Sequence, residues 1–232
     1  MKKFLDTSYP LLERFKTIAP GTYQHSLNVA NLCETIAKDL KLDIDLMKVA
    51  AMYHDIGKIW NPTYFSENIS DENPHDKLDP QVSFQIITRH ASDGVAILIQ
   101  EPDMPRQVLE IITRHHGDTV LQAMYNKVKD SGIGDHAYRY KGPKPNCPYS
   151  SVLMIVDSIE AKAKFLHSAG KLESHEEKSN CVSSTIDYLR DDEQLDEMKV
   201  GTLRKVREKL TRELDSIYHT RVGYDKAEEE EK

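Results

Sequence analysis

The chain has 232 residues, with 31 basic and 38 acidic side chains for a net charge of −7, ten histidines, three cysteines and one tryptophan. That is the size of one large domain or two small ones, and a hydrophobic fraction of 39% supplies material for a core. A mean hydropathy of −0.58, with aliphatic runs no longer than about five residues, leaves nothing to span a bilayer as a helix. From the N-terminus, MKKFLDTSYP has a basic pair but no apolar run and no small-residue cleavage site, which predicts no secretory signal and a cytoplasmic location. Leu27, Ala30, Cys33, Ala37 and Leu40 step by three or four, as do Leu46, Val49, Ala50 and Tyr53, predicting helices at about 22–40 and 45–56. Asp79 followed by Pro80 is an N-cap and first-turn proline for a helix with Val82, Ile86 and His90 on one face. Further helices are expected at 93–100, 105–116, 118–129 and 149–168. After a polar stretch come one near 179–190 and a long one near 199–220, with Leu203, Val206, Leu210, Leu214 and Ile217 in register. No alternation of period two interrupts this pattern, so the chain reads as all-α, a packed helical bundle.

The punctuation falls at 60–80, which holds Asn61-Pro62, Asn73-Pro74 and Asp79-Pro80, and at 130–149, with three glycines and the run GPKPNCP. Neither can continue a helix. Connections of that length are surface excursions or binding loops. Cys33, Cys147 and Cys181, odd in number and far apart, read as reduced thiols and not as a disulfide framework or a cysteine zinc site. Residues 225–232, DKAEEEEK, carry −3 of the net charge in what reads as a disordered tail, and the remaining −4 argues against a broad face for DNA or RNA duplexes.

The histidines are placed selectively. His90 is i+4 from Ile86, His115 is i+3 and i+4 from Ile112 and Ile111, and His116 is i+4 from Ile112, all on apolar faces. Asp157 follows the run VLMIV, where a buried carboxylate costs several kcal/mol unless a cation or donors offset its desolvation. His54 and Asp55 end an apolar helix in AMYHDIGK, where Gly57 is expected to leave with positive φ. His25 sits in the first turn of the opening helix, in APGTYQHSLNVANL. A lone histidine on an apolar face is ordinarily a core imidazole bonded to a carbonyl. Five imidazoles and two carboxylates gathered in one domain would strand many polar groups without a metal. Seven donors exceed the four of a tetrahedral zinc, so two metals fit better, Asp55 giving one oxygen to each. The imidazole-rich shell favours Mn, Fe, Co, Ni or Zn over Mg or Ca.

In this order (His, His-Asp, His, His-His, Asp) the chain resembles the histidine-aspartate (HD) phosphohydrolase superfamily, in its two-metal branch. The segments APGTYQHSLNVANL, YHDIGKIWNPTYFSEN, NPHDKL, RHHG and RYKGPKP are similar to the cytosolic HD domain of PgpH-type cyclic di-AMP phosphodiesterases, over about residues 10–168. The resemblance implies an HD-domain bundle with two long loops over a dinuclear metal site. It implies that His25, His54, Asp55, His90, His115, His116 and Asp157 are the metal ligands, that the metals are manganese or iron, and that a cyclic dinucleotide is opened, cyclic di-AMP giving linear 5′-pApA. The domains expected are 1–176 as the HD phosphodiesterase domain, 177–222 as C-terminal helices packed on it, and 223–232 as the acidic tail. The chain departs from PgpH-type proteins in lacking their extracellular domain and membrane helices, as a stand-alone relative or a fragment would. A second departure is the helical end after residue 176, with no functional match. HD-GYP phosphodiesterases of cyclic di-GMP would carry a Glu after the histidine pair, where this chain has Gly117 and Asp118.

The chemistry expected is attack of a metal-bridging hydroxide on phosphorus, Asp55 bridging and orienting while the 3′-oxygen leaves. Lys58, three residues after Asp55, is the expected phosphate contact; otherwise it is a solvated lysine at a helix end. Arg139, Lys141 and Lys144 would add phosphate contacts and Tyr138 or Tyr140 a stacking face for adenine, unless RYKGPKP is simply a solvated basic loop. His75, His136, His167, His175 and His219 need no metal. The competing functions are an HD phosphohydrolase acting on pApA, cyclic di-GMP or nucleotides, a diiron oxygenase, and a nucleotide-sensing domain without turnover. No membrane contact within the chain is expected, and the oligomeric state stays open.

Overall fold

The computed structural model describes residues 1–69 and 72–219. Nine α-helices appear among them: α1 (Pro10–Ile18), α2 (Pro20–Leu40), α3 (Ile44–Tyr53), α4 (Pro80–Leu98), α5 (Arg106–Thr113), the single turn α6 (Gln122–Tyr125), α7 (Pro148–Ser168), α8 (His175–Asp191) and α9 (Val200–Ile217). Their starts follow from local chemistry. Prolines occupy the first turn of α1, α2, α4 and α7, where no amide hydrogen is needed. The Asp43 and Asp79 carboxylates accept from Leu46 N and Gln81 N at 3.0 and 2.7 Å, and Ser174 with Glu177 closes a capping box on α8.

The core forms where α2, α3 and α7 meet. Val29, Cys33 and Ile36 of α2, Met47, Val49 and Ala50 of α3, and Val152, Leu153, Ile155 and Ile159 of α7 are all buried. Each large aliphatic side chain so buried contributes roughly 1.5–3 kcal/mol. Helix α9 adds Val206, Leu210 and Leu214 to the same cluster, and α8 adds Val182 and Ile186. Among the described residues no helix is long and apolar enough to cross a membrane.

Several elements differ from the sequence expectation. The helices expected from Asp79 and at 93–100 are one, because α4 continues through Gly94. Its buried face runs through Ser83, His90, Gly94 and Ile97, and Val82 is exposed. The expected helix at 118–129 shrinks to the turn α6, since Val120 instead pairs antiparallel with Arg139 as an isolated bridge. Gly57 is not at positive φ. It starts no C-cap but lies in a 3-10 turn, Ile56–Trp60, pressed on α4 so closely that a Cβ there would sit 2.0 Å from the His90 carbonyl oxygen and 2.5 Å from Gly94 N. Glycine is needed for that approach of two backbones. Helix α1, which the periodicity did not predict, packs Leu11, Leu12 and Phe15 into the core. The acidic tail at 223–232 lies outside the described residues.

Candidate metal centre

Seven residues converge on one point. His25 comes from the second turn of α2, His54 from the end of α3, Asp55 from the start of the 3-10 turn, His90 from the middle of α4, His115 and His116 from the turn after α5, and Asp157 from the middle of α7. All are buried except the half-buried His116. Asp55 lies at the centre. Its Oδ2 is 3.6 Å from His25 Nε2 and 3.3 Å from His54 Nε2, while its Oδ1 is 3.2 Å from His90 Nε2 and 3.9 Å from His115 Nε2. His116 Nε2 joins the second group, 3.0 Å from His90 Nε2. Asp157 joins the first, its Oδ1 3.0 Å from His25 Nε2 and 3.5 Å from His54 Nε2. Donor atoms of His25, His54 and Asp55 lie within 4.8 Å of one another, as do those of Asp55, His90, His115 and His116. Two donor sets therefore share one carboxylate.

The backbone fixes which nitrogens face inward. His54, His90 and His115 each place Nδ1 2.6–2.7 Å from the carbonyl three residues earlier, at Ala51, Ile87 and Ile112. A carbonyl only accepts, so each Nδ1 carries the hydrogen and each Nε2 turns toward Asp55. His25 Nδ1 instead donates to Glu160 Oε2 at 2.5 Å, and Asn28 Nδ2 donates to the other oxygen of that carboxylate at 2.8 Å. This is the outer support typical of metal-bound imidazoles. His54 Nε2 and Asp55 Oδ1 are buried with no hydrogen-bond partner, a costly state that a bound cation would relieve. The donor set suits divalent metals.

The electrostatics agree. Burial lowers the pKa of His25, but Asp157 and Glu160 outweigh it and hold the ring at about 9. Burial likewise opposes Asp55 and Asp157 at His54, and the carboxylates win, holding it at about 10. Burial, with His54 and His90 nearby, pushes His115 down to about 3. Burial and His115 together drive His116 well below the usual range. Burial alone would raise both carboxyls, yet Lys58 and His54 hold Asp55, and His25 and His54 hold Asp157, well below the carboxylate range. This field favours protonated His25 and His54; a divalent ion held by these residues would supply the positive charge instead.

A family model for the HD domain matches residues 22–162. The chain belongs to the HD-domain family. The cyclic-di-AMP phosphodiesterase PgpH of Listeria monocytogenes is 36% identical over 226 residues, covering 94% of this chain and 30% of that protein. PgpH of Bacillus subtilis is 35% identical over 225 residues, covering 95% of this chain and 31% of the relative. The chain thus spans under a third of these curated relatives. The crystal structure of the L. monocytogenes PgpH HD domain in complex with cyclic-di-AMP matches with a TM-score of 0.84 at 36% identity, over 93% of this chain and 100% of that one. Coverage this wide corrects one expectation: the helices after residue 176 are shared with relatives and are not a departure from them.

Around the HD cluster, the expected substrate contacts separate. Lys58 is no solvated helix-end lysine: its Nζ is 2.8 Å from Asp55 Oδ2 and 2.9 Å from Glu67 Oε1, and lies 4.9 Å above the Phe65 ring. Tyr140 stacks on His116 with ring centroids 4.3 Å apart and lines the cavity beside the cluster. Arg139 does not reach that cavity. Its guanidinium is bound by Asp192 at 2.7 Å, Asp135 at 3.1 Å and the Asp118 carbonyl at 2.9 Å. Lys144 pairs with Glu193 at 3.2 Å, and Tyr138 is core, packed on Phe84, Val120 and Met124. Among the remaining histidines, His75 bonds the Tyr64 carbonyl and His175 pairs with Asp215. Sequence reasoning missed Glu160 and Glu67. The first was within reach, being one turn after Asp157 on α7; the second depends on how residues 61–69 fold back toward Lys58, and no local signal marks it.

Proposed function

We propose that this HD domain is the catalytic part of a phosphodiesterase that hydrolyses a cyclic dinucleotide, cyclic di-AMP foremost, to the linear 5′-phosphorylated pApA. The observation that carries the reading is Asp55 shared between two imidazole-rich donor sets at the wall of an open cavity of about 400 Å³. His25, His54, Asp55 and Asp157 would hold one divalent ion, and Asp55, His90, His115 and His116 a second, with manganese or iron as the natural choices for such ligands. Bound there, the ions lower the pKa of water and offset charge developing on phosphorus.

The chain's own residues do the rest. Asp55 fixes the spacing of the two donor sets, and the bonded Nδ1 atoms keep the rings of His25, His54, His90 and His115 from turning. Lys58, anchored between Asp55 and Glu67, presents positive charge at the wall where a phosphate oxygen would lie. Phe65 of the first long loop and Tyr140 of the second line the cavity and shield its inner wall from water. Hydrolysis adds water to phosphorus, breaks one P–O3′ bond and leaves a 5′-phosphate and a 3′-hydroxyl. A nucleotide substrate is supplied where nucleotides are made, so we place the domain in the cytoplasm; accessibility of the domain to protease in intact and lysed cells checks that placement. Chromatography of products from cyclic di-AMP, cyclic di-GMP and pApA incubated with the Mn²⁺-loaded protein tests the activity. We expect pApA from cyclic di-AMP. No turnover of any cyclic dinucleotide would refute the reading.

A further inference from the structure

The cavity beside the histidine-aspartate cluster continues beyond the residues discussed so far. It runs along α7, from Asp157 past Glu160 and Ala161 to Lys164, Phe165 and Ser168. Two of these side chains have nothing in the fold to explain them. Phe165 is a large aromatic that stays 70% exposed, although a helical residue at this position could have been polar at no cost to the core. Lys164 lines the cavity beside Glu160, yet it forms no ion pair among the described residues. Three of the basic residues first expected to meet phosphate differ from it. Arg139 is held by Asp192 and Asp135, Lys144 by Glu193, and Lys58 by Asp55 and Glu67.

Helical side chains lean toward the N-terminus, so Lys164 and Phe165 lean back toward Asp157, two turns earlier on α7. Between them and the cluster stands Ala161, one turn after Asp157, too small to close the groove. The chemistry matches what a cyclic dinucleotide brings. It has two phosphates and two bases, and only one phosphate can sit at the metals in a given turnover. The second phosphate needs a cation without a partner, and its base needs an exposed aromatic face.

We propose that Lys164 and Phe165 form the docking shelf for the half of the dinucleotide that is not being cleaved, Lys164 meeting its phosphate and Phe165 stacking on its base. The assignment rests on the cyclic dinucleotide reading above. Stacking on an aromatic side chain contributes about 1–3 kcal/mol per base, so removing it weakens binding on the order of tenfold.

Two measurements on the metal-loaded 232-residue protein separate the two ideas. Calorimetric titration with a hydrolysis-resistant phosphorothioate analogue of cyclic di-AMP reads docking without turnover. Lys164→Ala and Phe165→Ala should each raise its Kd about tenfold, with Lys164→Arg and Phe165→Trp restoring most of the loss. Steady-state kinetics on cyclic di-AMP should show the loss in KM and not in kcat. An unchanged Kd in both alanine variants overturns the shelf whatever the turnover. A wild-type protein that binds the analogue through this shelf but releases no pApA removes the hydrolase reading and leaves the shelf standing. Losses that Lys164→Arg and Phe165→Trp fail to restore also overturn it, since they would mark general damage to α7.

Discussion

His25 is directed from both ends, Nε2 toward Asp157 and Asp55 and Nδ1 toward Glu160, which Asn28 in turn holds. Glu160→Gln keeps the shape and removes the charge that raises the basicity of His25. We expect metal affinity to fall about 10–100-fold, read by competition with a chelator, with activity returning at high metal concentration. Changing His54 and Asp55 together to alanine removes a ligand from one donor set and the carboxylate common to both. Bound metal, measured by elemental analysis, and hydrolysis should both be lost, and survival of either would refute the ligand assignment. Arg139→Ala belongs to a different class. Its partners are Asp135 and Asp192, so we expect a stability loss of about 1 kcal/mol in chemical denaturation and a KM close to that of the parent chain; a tenfold rise in KM would return Arg139 to the substrate site.

At the scale of elements, the contact of the Ile56–Trp60 turn with α4 sets the distance between Asp55 and His90. A Cβ at Gly57 would meet the His90 carbonyl at 2.0 Å, so Gly57→Ala must push the turn away from the helix. We expect about 1–3 kcal/mol of destabilisation together with weaker metal binding, because the same displacement separates Asp55 from His90. Measuring both distinguishes this from a purely structural defect, which would leave metal affinity intact in the folded fraction. The C-terminal helices are the second case. Leu210 is fully buried in the cluster that contains Ile36 of α2 and Ile186 of α8. We propose that 177–222 belong to the same folding unit as the site. Leu210→Ala should then cost about 2–5 kcal/mol in one cooperative transition; a separate early transition would show two units.

For the whole molecule, the largest lever is the metal itself. Seven buried or half-buried donors pointing at one another make the metal-free protein the strained partner in a linked equilibrium. A ligand at 100 times its Kd stabilises a fold by about 2.7 kcal/mol, so chelation should lower the melting temperature and added Mn²⁺ should restore it. A melting temperature indifferent to chelator would contradict the site. Much of this site was legible in the sequence, and the reason is local. A histidine or aspartate on an apolar helical face announces a buried polar group, and Asp55, His90, His115 and Asp157 each carried that mark within a few residues. The helices with regular apolar spacing, α2, α3, α7 and α9, were legible for the same reason, since backbone hydrogen bonding fixes the period. The ion pairs of the basic loop were not legible because its partners are remote: Asp192 lies 53 positions after Arg139 and Glu193 49 after Lys144. The sequence by itself determined an all-helical chain and marked the histidines and aspartates that turn out buried together, because both are written in spacing along single helices. Only the tertiary structure decided which charges are neutralised and which, like Lys164, stay available, because that depends on which distant segments the packing brings within a few ångströms.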